Sequence, residues 1–250
     1  MSASGFTAEL AEQADPDIGQ EIIRVRHDDG RIEELRLHDY ERLYALPGVY
    51  EQIVQERLGC RSPAELAGML GRAADTLGWD RGAMRVLDIA AGNGVSGDAL
   101  AAAGLGGRGL YGTDIVPSAR EAALRDRPRL YDQYLTLDLL ELTGDQRTAI
   151  TALGANALSC VAPVGTHGSE LPPSALVAAA GLLGPDALVV YMHDPNRGVA
   201  DAVTAEAWAE GLGAGIEAQE LERRRYVHRY TVNGEPFEMV GVVWRLRRAG

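Results

Sequence analysis

Residues 85–97 read Arg85-Val86-Leu87-Asp88-Ile89-Ala90-Ala91-Gly92-Asn93-Gly94-Val95-Ser96-Gly97. Val86 and Leu87 are apolar and follow a polar turn at 79–82, the pattern of a short buried strand that Asp88 closes. Small residues run from Ala90 to Gly94, and a helical pattern opens at Val95. A strand, a glycine-rich turn and a helix start make a corner suited to a nucleotide. Glycines admit close backbone approach, and the helix start presents unpaired N–H groups. Gly92, Gly94 and Gly97 also spell G-x-G-x-x-G, the dinucleotide fingerprint, so the glycines alone leave the nucleotide open.

Working outward toward the C-terminus, strand and helix patterns alternate. Residues 109–113 read as a second strand ending at Asp114, with a helix opening at Val116-Pro117-Ser118. A carboxylate about twenty residues past the glycine loop can accept both hydroxyls of a ribose; the alternative is an ordinary helix cap. A third strand over 131–137 ends at Asp138-Leu139, where the acid is again either a ligand or a cap. The run 157–163 is continuously apolar, as a strand covered on both faces requires. The loop after it carries two titratable residues, His167 and Glu170. A neutral histidine there can take a proton from a hydroxyl, thiol or amine; the alternative is a solvent-facing loop histidine. Residues 174–183 form a helix, and a fifth strand over 187–192 runs into His193-Asp194, which either reach the site rim or cap the strand. A helix around 202–211 precedes two β-rich runs, 221–232 and 235–246, separated by Asn233-Gly234, a strong hairpin signal. Tyr226, His228 and Tyr230 alternate on one strand face, lining a substrate or forming a polar surface with Arg223, Arg224 and Arg225.

Toward the N-terminus the chain is less explicit. Residues 1–20 are polar and expected to be mobile. Residues 21–37 read as two strands about an Asp28-Asp29-Gly30 turn. Tyr40, Leu43 and Tyr44 share a helix face, Pro47 ends that helix, and a second segment spans 49–58. Ser62-Pro63 reads as a cap followed by an N1 proline, for a helix ending near Leu77-Gly78.

The chain of 250 residues is long enough for one large α/β domain with at most a small cap. Its 24 Lys+Arg against 36 Asp+Glu give a net charge of −12 without a cationic block, so a nucleic-acid partner is not expected. The 2 cysteines, Cys60 and Cys160, lack metal-ligand spacing; no metal is expected, and a reduced cytoplasmic protein is. No apolar run reaches the length of a membrane span, and no signal-peptide order opens the chain. Ala and Gly richness with Arg over Lys suggests a GC-rich bacterial genome.

Asp88-x-Ala90-x-Gly92-x-Gly94 resembles motif I of the class I S-adenosylmethionine-dependent methyltransferases, an acid followed by x-Gly-x-Gly-x-Gly, with Ala90 in place of the first glycine. The run Tyr111-Gly112-Thr113-Asp114-Ile115-Val116-Pro117 resembles the family's second-strand motif. The resemblance spans about residues 84–246, and it favours S-adenosylmethionine over a nicotinamide. It implies a Rossmann-like, mostly parallel seven-stranded sheet with an antiparallel C-terminal hairpin and helices on both faces. Residues 1–80 would form an N-terminal helical/β cap, and 81–250 the cofactor domain.

The resemblance also implies roles. Asp88, Ala90, Gly92, Asn93 and Gly94 would form the cofactor loop, and Asp114 and Ile115 would meet the ribose and adenine. Asp138 would accept from the adenine amino group, Leu139 would pack on the ring, and Ala162 would border the site. Tyr40, Tyr44 and Tyr50 are candidate lid residues, packing the lid or offering aromatic faces to the sulfonium. His167, Glu170, His193 and Tyr226 are the candidates for proton transfer. The implied activity is methyl transfer to the O, N or S atom of a small molecule such as a specialised metabolite, releasing S-adenosylhomocysteine from a monomer or homodimer. Two alternatives stay open: cyclisation of the cofactor's aminobutyrate arm with release of methylthioadenosine, and a non-catalytic cofactor-binding scaffold.

Overall fold

The computed structural model describes residues 5–13, 20–166, 170–196, 203–213 and 215–248. Three short strands open the chain, β1 (Phe6–Leu10), β2 (Ile22–His27) and β3 (Ile32–Arg36), paired antiparallel in the order β1-β2-β3. The β2–β3 turn falls at Asp28-Asp29-Gly30 as expected, with Gly30 at φ 87°. The expectation of a mobile N-terminus is corrected for β1. Its five residues pair along β2, Ala8 opposite Val25, and Ala8 is buried. Phe6, Ala8 and Leu10 alternate with Thr7 and Glu9, a period-two pattern confined to five residues of an otherwise polar stretch, and pairing with β2 gives it order. Ala8, Ile23, Val25 and Leu35 join Leu43, Val49, Ile53 and Leu58 in a small separate core.

Helix α1 (Tyr40–Ala45) stops before Pro47, and residues Glu51–Arg57 then wind as a π-helix. The next helix, α2 (Ser62–Thr76), begins at the expected serine, but the serine is not its cap. The Ser62 hydroxyl instead meets the Tyr226 hydroxyl at 2.8 Å and His228 Nδ1 at 2.6 Å, so it ties the helix start to the C-terminal hairpin.

From there strands and helices alternate: β4 (Arg85–Ile89), α3 (Val95–Ala102), β5 (Gly109–Asp114), α4 (Pro117–Asp126), β6 (Gln133–Thr136), α5 (Gly144–Ala152), β7 (Ala157–Pro163), α6 (Pro173–Ala180), β8 (Asp186–His193) and α7 (Ala205–Leu212). The chain ends in the long hairpin β9 (Ile216–Tyr230) and β10 (Pro236–Arg248), turned at Asn233-Gly234 with Gly234 at φ 82°. The seven-stranded sheet has the order β6-β5-β4-β7-β8-β10-β9. Strands β4 to β8 are mutually parallel; β10 enters antiparallel beside β8 and β9 pairs outside it. This is the expected architecture.

Side chains alternate across that sheet because successive residues of a strand point to opposite faces. Leu87, Ile89, Leu158, Val189, Tyr191 and Trp244 pack against α5, α6 and α7 on one face. Val86, Leu110, Leu188, Val190 and Val243 pack against α2 and α3 on the other. With β4 flanked by β5 and β7, Ile89 lies opposite both Thr113 and Cys160, so the C-terminal ends of the three strands reach one level. Ligands of open α/β sheets bind at that edge, where the strand order reverses.

The expected alternation of Tyr226, His228 and Tyr230 is broken. A bulge in β9 pairs Val227 with Glu238 and Arg229 with Phe237, leaving His228 as the extra residue. Tyr226 and Arg229 are buried while Tyr230 is exposed, because one inserted residue shifts everything after it to the opposite face.

Candidate functional site

After Ile89 the chain turns sharply. Ala90, Gly92 and Gly94 all adopt left-handed φ values, 49°, 55° and 95°. Among the described residues Ala90 is the non-glycine that does so, and it stands where the family motif has its first glycine. The backbone conformation that glycine serves there is therefore kept, at the steric cost of a methyl group. Gly94 then caps the start of α3.

The loop is held from several sides. Asp114 Oδ2 accepts from the Gly92 N–H and Oδ1 from the Val116 N–H, both at 2.9 Å. Burial raises the Asp114 carboxyl above its usual value, while these backbone donors hold it down. The Tyr134 hydroxyl donates to the Gly92 carbonyl at 2.6 Å. Asn93 Nδ2 donates to Glu51 Oε1 at 2.8 Å, and Arg127 Nη1 donates to the same oxygen at 2.9 Å and to the Asn93 carbonyl at 3.0 Å. Glu51 belongs to the π-helical turn, so the N-terminal elements are fastened to the glycine loop.

Asp88 is fully buried beneath the loop. Its Oδ2 accepts from the Ser96 hydroxyl at 2.6 Å and the Tyr131 hydroxyl at 2.7 Å, whereas Oδ1 has no hydrogen-bond partner. Burial pushes its carboxyl up to about 6, against the opposing pull of these hydroxyls. Gly97 makes the Tyr131 contact possible: a Cβ there would stand 2.5 Å from the Tyr131 hydroxyl. The last glycine of the G-x-G-x-x-G spacing thus serves a tyrosine and gives no support to the dinucleotide reading.

A cavity of about 470 Å³ opens above the loop, within the usual range for small-molecule sites of about 300–1,000 Å³. On the loop side Ala90, Gly92, Asn93, Asp114, Ile115, Asp138, Leu139 and Ala162 line it. Asp138 Oδ1 also accepts from the Leu140 N–H at 2.8 Å. Asp88 stands behind this wall, and Gly94 likewise does not line it. Tyr40, Tyr44 and Tyr50 roof the cavity in a continuous aromatic run with His38, the ring centroids 5.4–5.7 Å apart. Burial raises the Tyr40 phenol to about 12, and all three hydroxyls stay protonated at neutral pH.

The proton-transfer candidates fare differently. Glu170 lines the cavity. His167 lies outside the described residues. His193 and Tyr226 are buried but do not line the cavity: His193 Nε2 meets Arg223 Nη1 at 3.3 Å, and the Tyr226 hydroxyl is turned to Ser62 and to Met192 Sδ at 3.1 Å. Both lie on strands whose side chains alternate, and the side reached is set by packing that the sequence does not state.

On the far wall the sequence offered only His228, as a residue lining a substrate or part of a polar surface, and missed the others. His228, Arg229, His38 and Cys60 reach the cavity there. Arg229 Nη2 is paired with Glu21 Oε1 at 2.5 Å, with side-chain exposures of only 4% and 2%, and its guanidinium lies 5.8 Å from the Phe237 ring centroid. His228 has its pKa pushed down to about 3, first by burial, then by Arg229 and His38. The sequence placed His228 on one face with Tyr226 and Tyr230, and the bulge that separates them is not announced there.

The sheet order, the inserted antiparallel strand and the acid-bearing glycine loop together define the fold of the class I S-adenosylmethionine-dependent methyltransferases. Comparisons with known proteins agree. The chain is 29% identical over 225 residues to a ribosomal protein L11 methyltransferase of Chromohalobacter salexigens, covering 83% of this chain and 73% of that one. An S-adenosylmethionine-dependent methyltransferase from Anabaena variabilis matches in structure with a TM-score of 0.55, at 14% identity, over 85% of this chain and 95% of that one. The CurJ carbon methyltransferase also gives a TM-score of 0.55, at 16% identity, over 84% of this chain and 61% of that one. Protein-family models give no match. Among the described residues, no helix is long and apolar enough to cross a membrane.

Proposed function

We propose that the chain is an S-adenosylmethionine-dependent methyltransferase acting on a small-molecule acceptor, in the cytoplasm. The observation that carries this reading is the single cavity that runs from the glycine loop beneath the tyrosine roof to the β9 bulge. One end offers what an adenosyl group needs, and the other end offers separate polar groups.

The fit to the cofactor rests on side chains. Asp114 spends one lone pair of each oxygen on the loop, which leaves lone pairs for ribose hydroxyls. Leu139 and Ile115 give apolar surface for the adenine, with Asp138 beside them; Ile115 is 61% exposed, a large apolar side chain left open at the cavity wall. When bound, the cofactor supplies a methyl group on a positively charged sulfur. The tyrosine faces attract such a cation and, with the roof closed, exclude water. The remaining work of the protein is alignment of acceptor and methyl group.

A tyrosine roof leaves room for a small molecule rather than for the folded protein that the Chromohalobacter relative's name specifies, and the charge of −12 disfavours nucleic acid. Calorimetric titration with S-adenosylmethionine, S-adenosylhomocysteine and NADH tests the reading. Micromolar binding of both adenosyl ligands and none of NADH is expected; NADH binding alone would overturn it. Turnover that yields S-adenosylhomocysteine rather than methylthioadenosine separates transfer from cyclisation of the same cofactor.

A further inference from the structure

We propose that His228 receives the proton of the methyl acceptor, and that this acceptor is a small aromatic molecule methylated on a hydroxyl oxygen. The inference rests on the methyl-transfer reading and adds the acceptor class and the group that serves it.

The first argument is the direction of a hydrogen-bond chain. Met192 Sδ can only accept, and the Tyr226 oxygen stands 3.1 Å from it. At that separation a proton must lie between oxygen and sulfur, since two lone pairs would repel. Tyr226 therefore donates to Met192 and accepts from Ser62, 2.8 Å away. Ser62, its proton used, accepts from His228 Nδ1 at 2.6 Å. The ring is thus fixed with its proton on Nδ1, leaving Nε2 as the basic nitrogen of a side chain that lines the cavity.

The second argument is the wall. The Phe237 ring stands 5.7 Å from the His228 ring and Cys60 Sγ 3.9 Å from its Nδ1, and Tyr40, Tyr50, Leu37 and Met239 give the same cavity flat and apolar surface beside these groups. The cation in that wall, Arg229, is already paired with Glu21, so it does not call for an anionic acceptor.

The third is basicity. Burial, Arg229 and His38 make the His228 imidazolium unfavourable, so the ring does not take a proton from a resting hydroxyl. A hydroxyl oxygen that is gaining a methyl group becomes far more acidic, and then even this weak base suffices. In the balanced step the acceptor oxygen forms its bond to the methyl carbon and the carbon–sulfur bond breaks with its electron pair left on sulfur. The hydroxyl proton goes to His228 Nε2 and from there to water when the roof opens. An aliphatic amine acceptor rests as an ammonium at neutral pH and must shed a proton before it can attack, a proton this weak base does not take.

The test uses the full chain with 15N-labelled histidines and bound S-adenosylhomocysteine, with His228 assigned among the 5 histidines by the His228→Gln variant. The expected spectrum shows His228 neutral from pH 4 to 8, protonated on Nδ1, with Nε2 shifting when 2-naphthol is added. In turnover with S-adenosylmethionine, 2-naphthol should be methylated on oxygen. His228→Gln should slow that reaction by about a hundredfold or more while cofactor affinity holds within about twofold. A proton on Nε2, ordinary histidine titration, an Nε2 signal indifferent to 2-naphthol, or turnover untouched by the substitution would each overturn the inference while S-adenosylhomocysteine binds. Failure of S-adenosylhomocysteine to bind would overturn the methyl-transfer reading as well.

Discussion

The Tyr44 hydroxyl occupies the space where a side chain on Gly92 would begin. Helix α1 therefore rests directly on the glycine loop, and a roof tyrosine and the loop backbone form one packing unit. Tyr134 holds the Gly92 carbonyl of the same residue. Gly92→Ala should be costly on two counts. Its φ of 55° costs about 1–2 kcal/mol for an L-residue, and the new methyl group displaces Tyr44. Urea unfolding should show at least that loss, together with weaker S-adenosylhomocysteine binding; an undisturbed variant would mean that α1 does not sit on the loop.

Ala90→Gly is the opposite experiment. It relieves the left-handed strain at φ 49°, about 1–2 kcal/mol. It also loosens the unfolded chain by about 0.4–1 kcal/mol. Net stabilisation of about 0–1.6 kcal/mol is expected in chemical denaturation. A clear loss of stability would show that the methyl group packs usefully.

Asp114→Ala removes the acceptor for two backbone N–H groups and, on our reading, for the ribose. Charge-assisted hydrogen bonds of about 1.5–3 kcal/mol correspond to about a tenfold to hundredfold loss of cofactor affinity. Calorimetry on the folded variant checks this, and an unchanged affinity would move the ribose ligand elsewhere.

Asp88 gives a pH dependence of definite sign. Its folded pKa is raised to about 6 from 3.8, so between those values the native state holds the extra proton and stability falls as pH rises. The span corresponds to about 3 kcal/mol lost on ionisation. His228 slopes the other way, its folded pKa of about 3 lying below 6.5, so stability rises with pH in that window. Thermal melts of the native protein and Asp88→Asn from pH 4 to 8 cancel the histidine contribution. The variant should gain relative stability above pH 6, and parallel curves would refute the assignment.

Glu21→Gln would leave the Arg229 guanidinium buried without its countercharge. Breaking one side of a buried pair costs about 3–5 kcal/mol, whereas an apolar replacement of both sides is often neutral. The single variant should melt well below Glu21→Leu combined with Arg229→Met; equal melting would mean that water reaches the pair.

Much of the sheet was legible in the sequence because its signals are local. The run 157–163 is apolar throughout and forms a strand over that span. Asn233-Gly234 marks the hairpin turn, and Asp114 ends its strand beside the loop. The loop side of the site was legible for the same reason: the carboxylates and small residues stand at strand ends, and parallel strands in register bring their ends together. Strand β1 was overlooked: Phe6, Ala8 and Leu10 do alternate with Thr7 and Glu9, but five such residues in a polar stretch gain lasting order only by pairing with β2. Ser62 looked like a cap, the local use of a serine before proline, but its hydroxyl serves Tyr226 and His228 on a strand far along the chain.

The sequence by itself determined the alternation of strands and helices, the glycine loop with its acids, and the hairpin, because each depends on neighbours a few residues apart. The tertiary structure alone decided which side chains complete the cavity. Tyr226 was the expected reacting residue of β9, yet it turns to Met192, and the bulged residue after it brings His228 and Arg229 to the wall. The physical reason is that a strand has a side-chain period of two, so a single inserted residue reverses every later orientation. Local sequence sets the period, and only pairing with β10 sets the phase.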